Sequence, residues 1–167
     1  ILNVDLSKDL KMRVTINEKY VVLVKEDYDR KAIYCYSLLT GEILWCTDPT
    51  NSGSPQAIYS MQLEGDSLFG IGQHPGQGFY FVSYDCVKGV RKVNRVIEGF
   101  ASAPTVEMRK YIHGKNIVME VQDKKDFHMI VLDKNTGDIV KKVSDKGDGP
   151  IGDIGRVAMT VQDGHPI

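Results

Sequence analysis

Three evenly spaced glycines set the plan of this chain. Gly41, Gly89 and Gly137 are separated by 48 residues each, and every one of them follows a polar residue between two apolar runs. This pattern is typical of a tight turn between two strands, because glycine adopts positive φ angles at little cost. A regular spacing of this length indicates a protein built from structural repeats.

The apolar residues predict an all-β chain. They alternate with polar residues or form short runs rich in β-branched and aromatic side chains, and no helical spacing is evident. A shift of 48 residues aligns Val21 with Phe69 and Ile117. We therefore predict one partial repeat domain over residues 1–167, with four-stranded antiparallel units at 9–47, 57–96 and 105–143 and the first strand of a further unit at 156–162.

Units of this size predict the blades of a β-propeller. Propellers arrange about 4 to 8 four-stranded antiparallel sheets around a central axis. Three units and one strand would leave an open ring with exposed sheet edges, which are prone to aggregation. We expect the chain to belong to a larger ring of seven or eight blades, and either the same polypeptide or another chain supplies the remainder of the propeller.

The first repeat resembles a known propeller family. Residues 35–45 read C-Y-S-L-L-T-G-E-I-L-W, which is similar to the tryptophan-docking pattern A-x-D-x-x-T-G-x-x-x-W of PQQ-like repeats. The later units keep the aspartate and the glycine, but Val93 and Lys141 replace the tryptophan. The family includes quinoprotein dehydrogenases, outer-membrane assembly scaffolds and sensor domains. The resemblance implies a secreted or periplasmic protein, and the missing tryptophans depart from the tightly girdled propeller of quinoprotein alcohol dehydrogenases.

Charge and hydropathy exclude some classes of partner. The chain has 21 Lys and Arg against 22 Asp and Glu, so it has no broad cationic field and we expect no nucleic-acid partner. It contains no apolar run of the roughly 18 to 20 residues that a membrane-spanning helix needs. We therefore expect no membrane span.

The three cysteines do not define a compartment. Cys35, Cys46 and Cys86 are too few for a disulfide framework and lack the spacing of a metal site. Cys35 and Cys46 lie on either side of the Gly41 turn. They either form a bridge across this hairpin or remain free thiols that act as small hydrophobic side chains.

Propeller topology predicts where a ligand would bind. With strands A to D numbered from the centre outward, the B–C and D–A loops share one face, and propeller ligands usually bind at the central mouth on that face. The loop at 73–78, Q-H-P-G-Q-G, is the most unusual of them. His74 is our candidate for a ligand contact, a metal ligand or a general base, and the alternative is a surface histidine without a role.

Charged residues of neighbouring loops complete the predicted site. Arg30 could clamp a carboxylate or a uronate, since its guanidinium forms a bidentate fork, or it could form an ion pair within its loop. Acidic loop residues such as Asp123 could bind Ca²⁺, although no EF-hand pattern is present and the residues also fit solvated loop charge. The predicted ligand-binding residues are Arg30, Gln73, His74, Gln77 and Asp123.

Two functions fit these residues. The first is a non-enzymatic binding or scaffold propeller that holds a protein, a peptide or a glycan. The second is an extracellular enzyme: either a polysaccharide lyase that acts on a uronate-containing glycan through His74, Arg30 and tyrosines, or a quinoprotein-type oxidoreductase that uses PQQ and Ca²⁺. No nucleophile elbow or phosphate-cradling loop is present.

Overall fold

The structure is a computed structural model. It describes residues 11–27, 30–47, 58–74, 78–97, 105–107, 112–123, 126–145, 161–162 and 165–166. The strands, in chain order, are β1 Lys11–Ile16, β2 Tyr20–Asp27, β3 Arg30–Ser37, β4 Ile43–Cys46, β5 Ile58–Glu64, β6 Ser67–His74, β7 Gly78–Asp85, β8 Arg91–Ile97, β9 Thr105–Glu107, β10 Ile112–His113, β11 Asn116–Asp123, β12 Asp126–Asp133, β13 Ile139–Asp145, β14 Val161–Gln162 and β15 His165–Pro166.

The strands form three successive antiparallel sheets. The first has the order β1-β2-β3-β4 and the second β5-β6-β7-β8, and in the third both β9 and β10 pair with β11, which is followed by β12 and β13. No helix occurs in the described part of the chain. These sheets confirm the predicted all-β fold. The last pair, β14 and β15, forms a separate hairpin, and residues 156–160 of the predicted further strand lie outside the described residues.

The three sheets stack face against face. One apolar cluster joins the first sheet to the second and includes Val22, Cys35, Leu68 and Val82. A second cluster, between the second and third sheets, is built from side chains such as Phe81 and Met119. The first strands β1, β5 and β9 contact one another in sequence, as do the innermost strands of adjacent propeller blades.

The second sheet is buried on both faces. Leu68 and Val82 belong to the cluster shared with the first sheet, whereas their neighbours Phe69 and Phe81 belong to the cluster shared with the third. Successive side chains of a strand point to opposite faces, so a strand between two cores has a nearly continuous run of apolar residues. This explains the continuous apolar runs in β6 and β7.

The strand register corrects the alignment of the repeats. The second strands β2, β6 and β11 begin at Tyr20, Ser67 and Asn116, which are 47 and then 49 residues apart. Val21 therefore corresponds to Leu68 and Ile117, and the prediction that it corresponds to Phe69 was wrong. A shift of one residue moves a side chain to the other face of the sheet, so the predicted alignment would have exchanged the two cores.

The glycine turns share one set of hydrogen bonds. The amides of Gly41, Gly89 and Gly137 donate to the carbonyls of Ser37, Asp85 and Asp133 at 2.9, 2.8 and 2.7 Å. All three glycines have φ between 68° and 74°. The residue that opens the turn also caps it, since the Asp85 carboxylate accepts from the amides of Val87 and Lys88 at 2.9 and 3.0 Å. The motif residues are therefore structural.

Trp45 docks on the turn of the next sheet. Its indole N–H donates to the carbonyl oxygen of Cys86 at 2.7 Å, and its ring stacks on Tyr84 with centroids 5.8 Å apart. A β-carbon on Gly89 would lie 2.7 Å from Trp45 Cγ, whereas a β-carbon on Gly41 would meet nothing within 4 Å. Gly89 is thus needed both for its backbone angle and for the space it leaves.

We predict that Gly89→Ala destabilises the protein more than Gly41→Ala. Both residues have positive φ angles, 68° and 74°, so each alanine should cost about 1 to 2 kcal/mol in backbone strain. Only the alanine at 89 also collides with Trp45, which should add about 1 to 3 kcal/mol. Urea unfolding followed by fluorescence of this single tryptophan measures both free energies. Equal losses in the two variants would contradict the docking described above.

Candidate functional site

Charged and polar residues close the second hairpin of every sheet. The last residue pairs between the second and third strands are Asp27 with Arg30, His74 with Gly78, and Asp123 with Asp126. These pairs are equivalent in the three sheets and therefore lie at the same end of the stack. Three of the predicted site residues, Arg30, His74 and Asp123, thus occupy this end, which we call the hairpin end.

The hairpin end differs most in the second sheet. Two residues separate the paired strands in the first and third sheets, at 28–29 and 124–125, whereas three residues, 75–77, do so in the second. The extra residue falls in the loop that follows His74 and compensates the uneven spacing of the second strands. Of the other predicted site residues, Gln73 pairs with Phe79, and Gln77 lies outside the described residues.

At the opposite end of the sheets, which we call the turn end, ion pairs and a hydrogen bond connect each sheet to the next. The Lys19 ammonium lies 3.0 Å from the Asp66 carboxylate, and Lys134 lies 2.6 Å from Glu64. The side-chain amide of Asn17 donates to the carbonyl oxygen of Gly65 at 2.9 Å. These exposed pairs are individually weak, but each one links consecutive sheets. Polar side chains at this end therefore have structural partners.

Sequence reasoning missed the central group of this end, Asp66. Its carboxylate accepts from the Tyr20 hydroxyl at 2.9 Å as well as from Lys19, and these two hydrogen bonds lower the pKa of Asp66. Burial, followed by the hydrogen bond to Asp66, raises the pKa of Tyr20 to about 12. In the sequence, Asp66 is only one polar residue of a turn, because its partners come from another sheet.

His128 has a structural partner near the hairpin end of the third sheet. It is half-buried, and its Nδ1 lies 2.8 Å from the hydroxyl of Ser144 on the adjacent strand. The register explains this contact, since His128 is paired directly with Ser144. The pair fixes the orientation of the imidazole ring.

The cysteines do not pair as the hairpin suggested. Cys35 is paired with Trp45, and Tyr34 with Cys46, so Cys35 and Cys46 point to opposite faces of the first sheet. Cys35 is buried and Cys46 is exposed. A bridge between these two residues is excluded by this register, and the interpretation as free thiols holds for the structure as it stands.

The residues that the structure describes contain no cluster of metal ligands. Among them, no three His, Cys, Asp or Glu side chains gather as metal ligands. They also include no helix that is long and apolar enough to cross a membrane.

The stacked four-stranded antiparallel sheets define the class of protein, a chain made of β-propeller blades. No family model and no curated protein matches the sequence. Among solved structures, a europium-containing methanol dehydrogenase is similar, with a TM-score of 0.55 at 11% identity over 80% of this chain. The match spans 25% of that protein's chain. At this identity the similarity supports the propeller fold alone.

We predict that the contribution of Tyr20 to stability is lost in alkali. Its pKa is raised from 10.0 to about 12 in the folded protein, so its contribution is complete below pH 10 and decreases as the pH rises to about 12. Tyr20→Phe cannot ionise. The difference in unfolding free energy between the wild type and Tyr20→Phe should therefore shrink over this interval.

Denaturant titrations at a series of pH values measure this difference. Asp66→Asn is the matched variant, because it keeps an acceptor but removes the charge that disfavours the phenolate. In the Asp66→Asn background, the difference should shrink less. A gap that stays constant through the interval would show that Tyr20 ionises equally in the folded and unfolded states.

Proposed function

We propose that this chain is part of a β-propeller that binds a ligand or a partner through its hairpin end. The observation that supports the proposal is the register: Arg30, His74 and Asp123 each belong to the last strand pair at one end of three consecutive sheets. A role as a binding or scaffold module needs no further catalytic group. The ligand we favour is a protein, a peptide or a glycan with acidic groups, which Arg30 can recognise.

The ion pairs at the turn end favour the hairpin end as the ligand site. Lys19, Asp66, Glu64 and Lys134 connect neighbouring sheets at the turn end, so a ligand that recruited them would have to break those links. The hairpin end contains the lengthened loop after His74, where a change of length leaves the paired strands intact. Loops on a rigid scaffold are where propellers and other folds place their binding residues.

The first sheet supports the presence of further blades. Its outward face exposes Val14, Ile16 and Ile43 at 59, 61 and 56%. The corresponding face of the second sheet is covered by the first, where Leu68 and Val82 are each 1% exposed. We propose that another four-stranded sheet, from the same polypeptide or another chain, covers the outward face within a ring of seven or eight blades.

A secreted or periplasmic location belongs to the same proposal. It is supported by the resemblance of residues 35–45 to the PQQ-like repeats. Fractionation of cells that express the full-length protein tests the location. Recovery in the cytosolic fraction alone would contradict it.

We predict that His74→Ala and Arg30→Ala weaken binding of an acidic ligand. The probe is a defined oligogalacturonate, a chain of uronates, and the control ligand is a neutral oligosaccharide of the same length. Loss of one charge-assisted hydrogen bond should weaken the affinity about tenfold. Isothermal titration calorimetry of the full-length protein measures this effect. Lys19→Ala, at the turn end, is the matched control variant and should bind as tightly as the wild type.

The same samples distinguish binding from catalysis. A lyase would break the uronate chain by elimination and create an unsaturated product with a characteristic ultraviolet absorbance. A quinoprotein would change its absorbance when PQQ and Ca²⁺ are added. Binding without either signal supports the scaffold role. Equal affinity of wild type, His74→Ala and Arg30→Ala for the oligogalacturonate would contradict a site for acidic ligands at the hairpin end.

We further predict that Ile16→Ser destabilises the full-length protein by about 2 to 3 kcal/mol, since a covering sheet would bury this side chain. Val87→Ser is the control, because Val87 is equally exposed here, 62% against 61% for Ile16, but lies in the turn between β7 and β8 of the second sheet, whose faces are already covered. Its substitution should change the stability by less than about 0.5 kcal/mol. Chemical denaturation measures both values, and equally small effects would argue that no blade covers the first sheet.

A further inference from the structure

Two thiols meet in the core between the first and second sheets. Cys35 lies on β3 and Cys86 directly follows β7, and both are 0% exposed. Cys35 Sγ lies 4.0 Å from the carbonyl oxygen of Cys86, and both residues belong to the same buried cluster between the two sheets. Neither residue belongs to the hairpin end, and the ligand site makes no use of them.

The surroundings hold this pair in place. The indole N–H of Trp45 donates to the same Cys86 carbonyl at 2.7 Å, and the amide of Cys86 donates to the Asp66 carbonyl at 2.9 Å. Cys35 is fixed by the ladder of β3. Both cysteines are therefore positioned by backbone contacts that do not depend on the thiols themselves.

We propose that Cys35 and Cys86 are a modification site, at which an intramolecular disulfide links the first blade to the second when the protein folds under oxidising conditions. The oxidant is a small disulfide such as oxidised glutathione. The bridge would connect residues 51 positions apart in the chain. It would join two sheets that otherwise share only noncovalent contacts.

The exchange balances in two steps. A Cys86 thiolate attacks oxidised glutathione, which gives a mixed disulfide and releases one glutathione thiol. The Cys35 thiolate then attacks the Cys86 sulfur and expels the second glutathione. Two protons and two electrons leave the cysteines, and one oxidised glutathione becomes two reduced molecules. Because both thiols are buried in the assembled core, the first step takes place before the two sheets close.

The register of the first sheet decides which cysteine can meet Cys86. Cys46 is exposed and points to the face of the first sheet opposite to that of Cys35, so it cannot take the place of Cys35 in the folded protein.

Refolding in a glutathione buffer tests the proposal. The reduced protein is unfolded, refolded with mixed reduced and oxidised glutathione, trapped with an alkylating reagent and digested for mass spectrometry. We expect one crosslinked peptide pair that contains Cys35 and Cys86, with Cys46 alkylated. The Cys46→Ser variant should form the same crosslink, and Cys35→Ser and Cys86→Ser should not.

Thermal unfolding gives a second readout. The bridge should raise the Tm by about 5 to 10 °C, in the wild type and in Cys46→Ser alike, and a reductant should reverse the increase. Peptide mapping of the wild type requires no substitution in the core, so it remains decisive if a core variant fails to fold. Alkylation of all three cysteines, or a crosslink that includes Cys46, would overturn the proposal.

Discussion

The structure depends on the burial of the second sheet between its two neighbours. Leu68 and Val82 face one core and Phe69 and Phe81 the other, and all four are at most 4% exposed. Because the middle of β6 and of β7 is buried on both faces, a shift in register would place a large side chain against the wrong partner. Correct stacking of the sheets therefore fixes the register of every strand between them.

The two ends of the stacked sheets have different roles. At the turn end, neighbouring sheets approach closely, and Asp66 and Glu64 are paired with lysines from adjacent sheets. At the hairpin end, the loop after His74 has gained a residue without disturbing the strand pairs on either side. Contacts between sheets constrain the first end, whereas the second contains a loop whose length differs between the sheets. A binding function placed at the hairpin end leaves the ion pairs of the opposite end intact.

The sequence was sufficient for the blades but not for the contacts between them. Turn glycines reveal the repeat because each turn needs a positive φ angle, and this requirement is local. The face of the sheet to which Val21 points could not be predicted from these glycines. The second strands are unevenly spaced, and the extra residue in the loop after His74 compensates for this, so the turns remain evenly spaced and hide the difference. Cys35 and Asp66 find their partners in another sheet, and one sequence alone does not specify which residues of two sheets meet. Topology assigns each loop to an end of the sheets, and the candidate site at the hairpin end stays a prediction.

Two interfaces, between the first and second sheets and between the second and third sheets, show which part of the docking motif is essential. At the first, Trp45 covers Gly89, and at the second the smaller Val93 takes its place. A β-carbon on Gly137 would nevertheless lie 2.9 Å from Phe81 Cδ1 and 3.2 Å from Val93 Cγ1. The close approach survives without the tryptophan because Phe81 fills the space from the neighbouring strand. Both interfaces thus require a glycine that has no β-carbon, whereas the side chain that docks on it differs from one blade to the next.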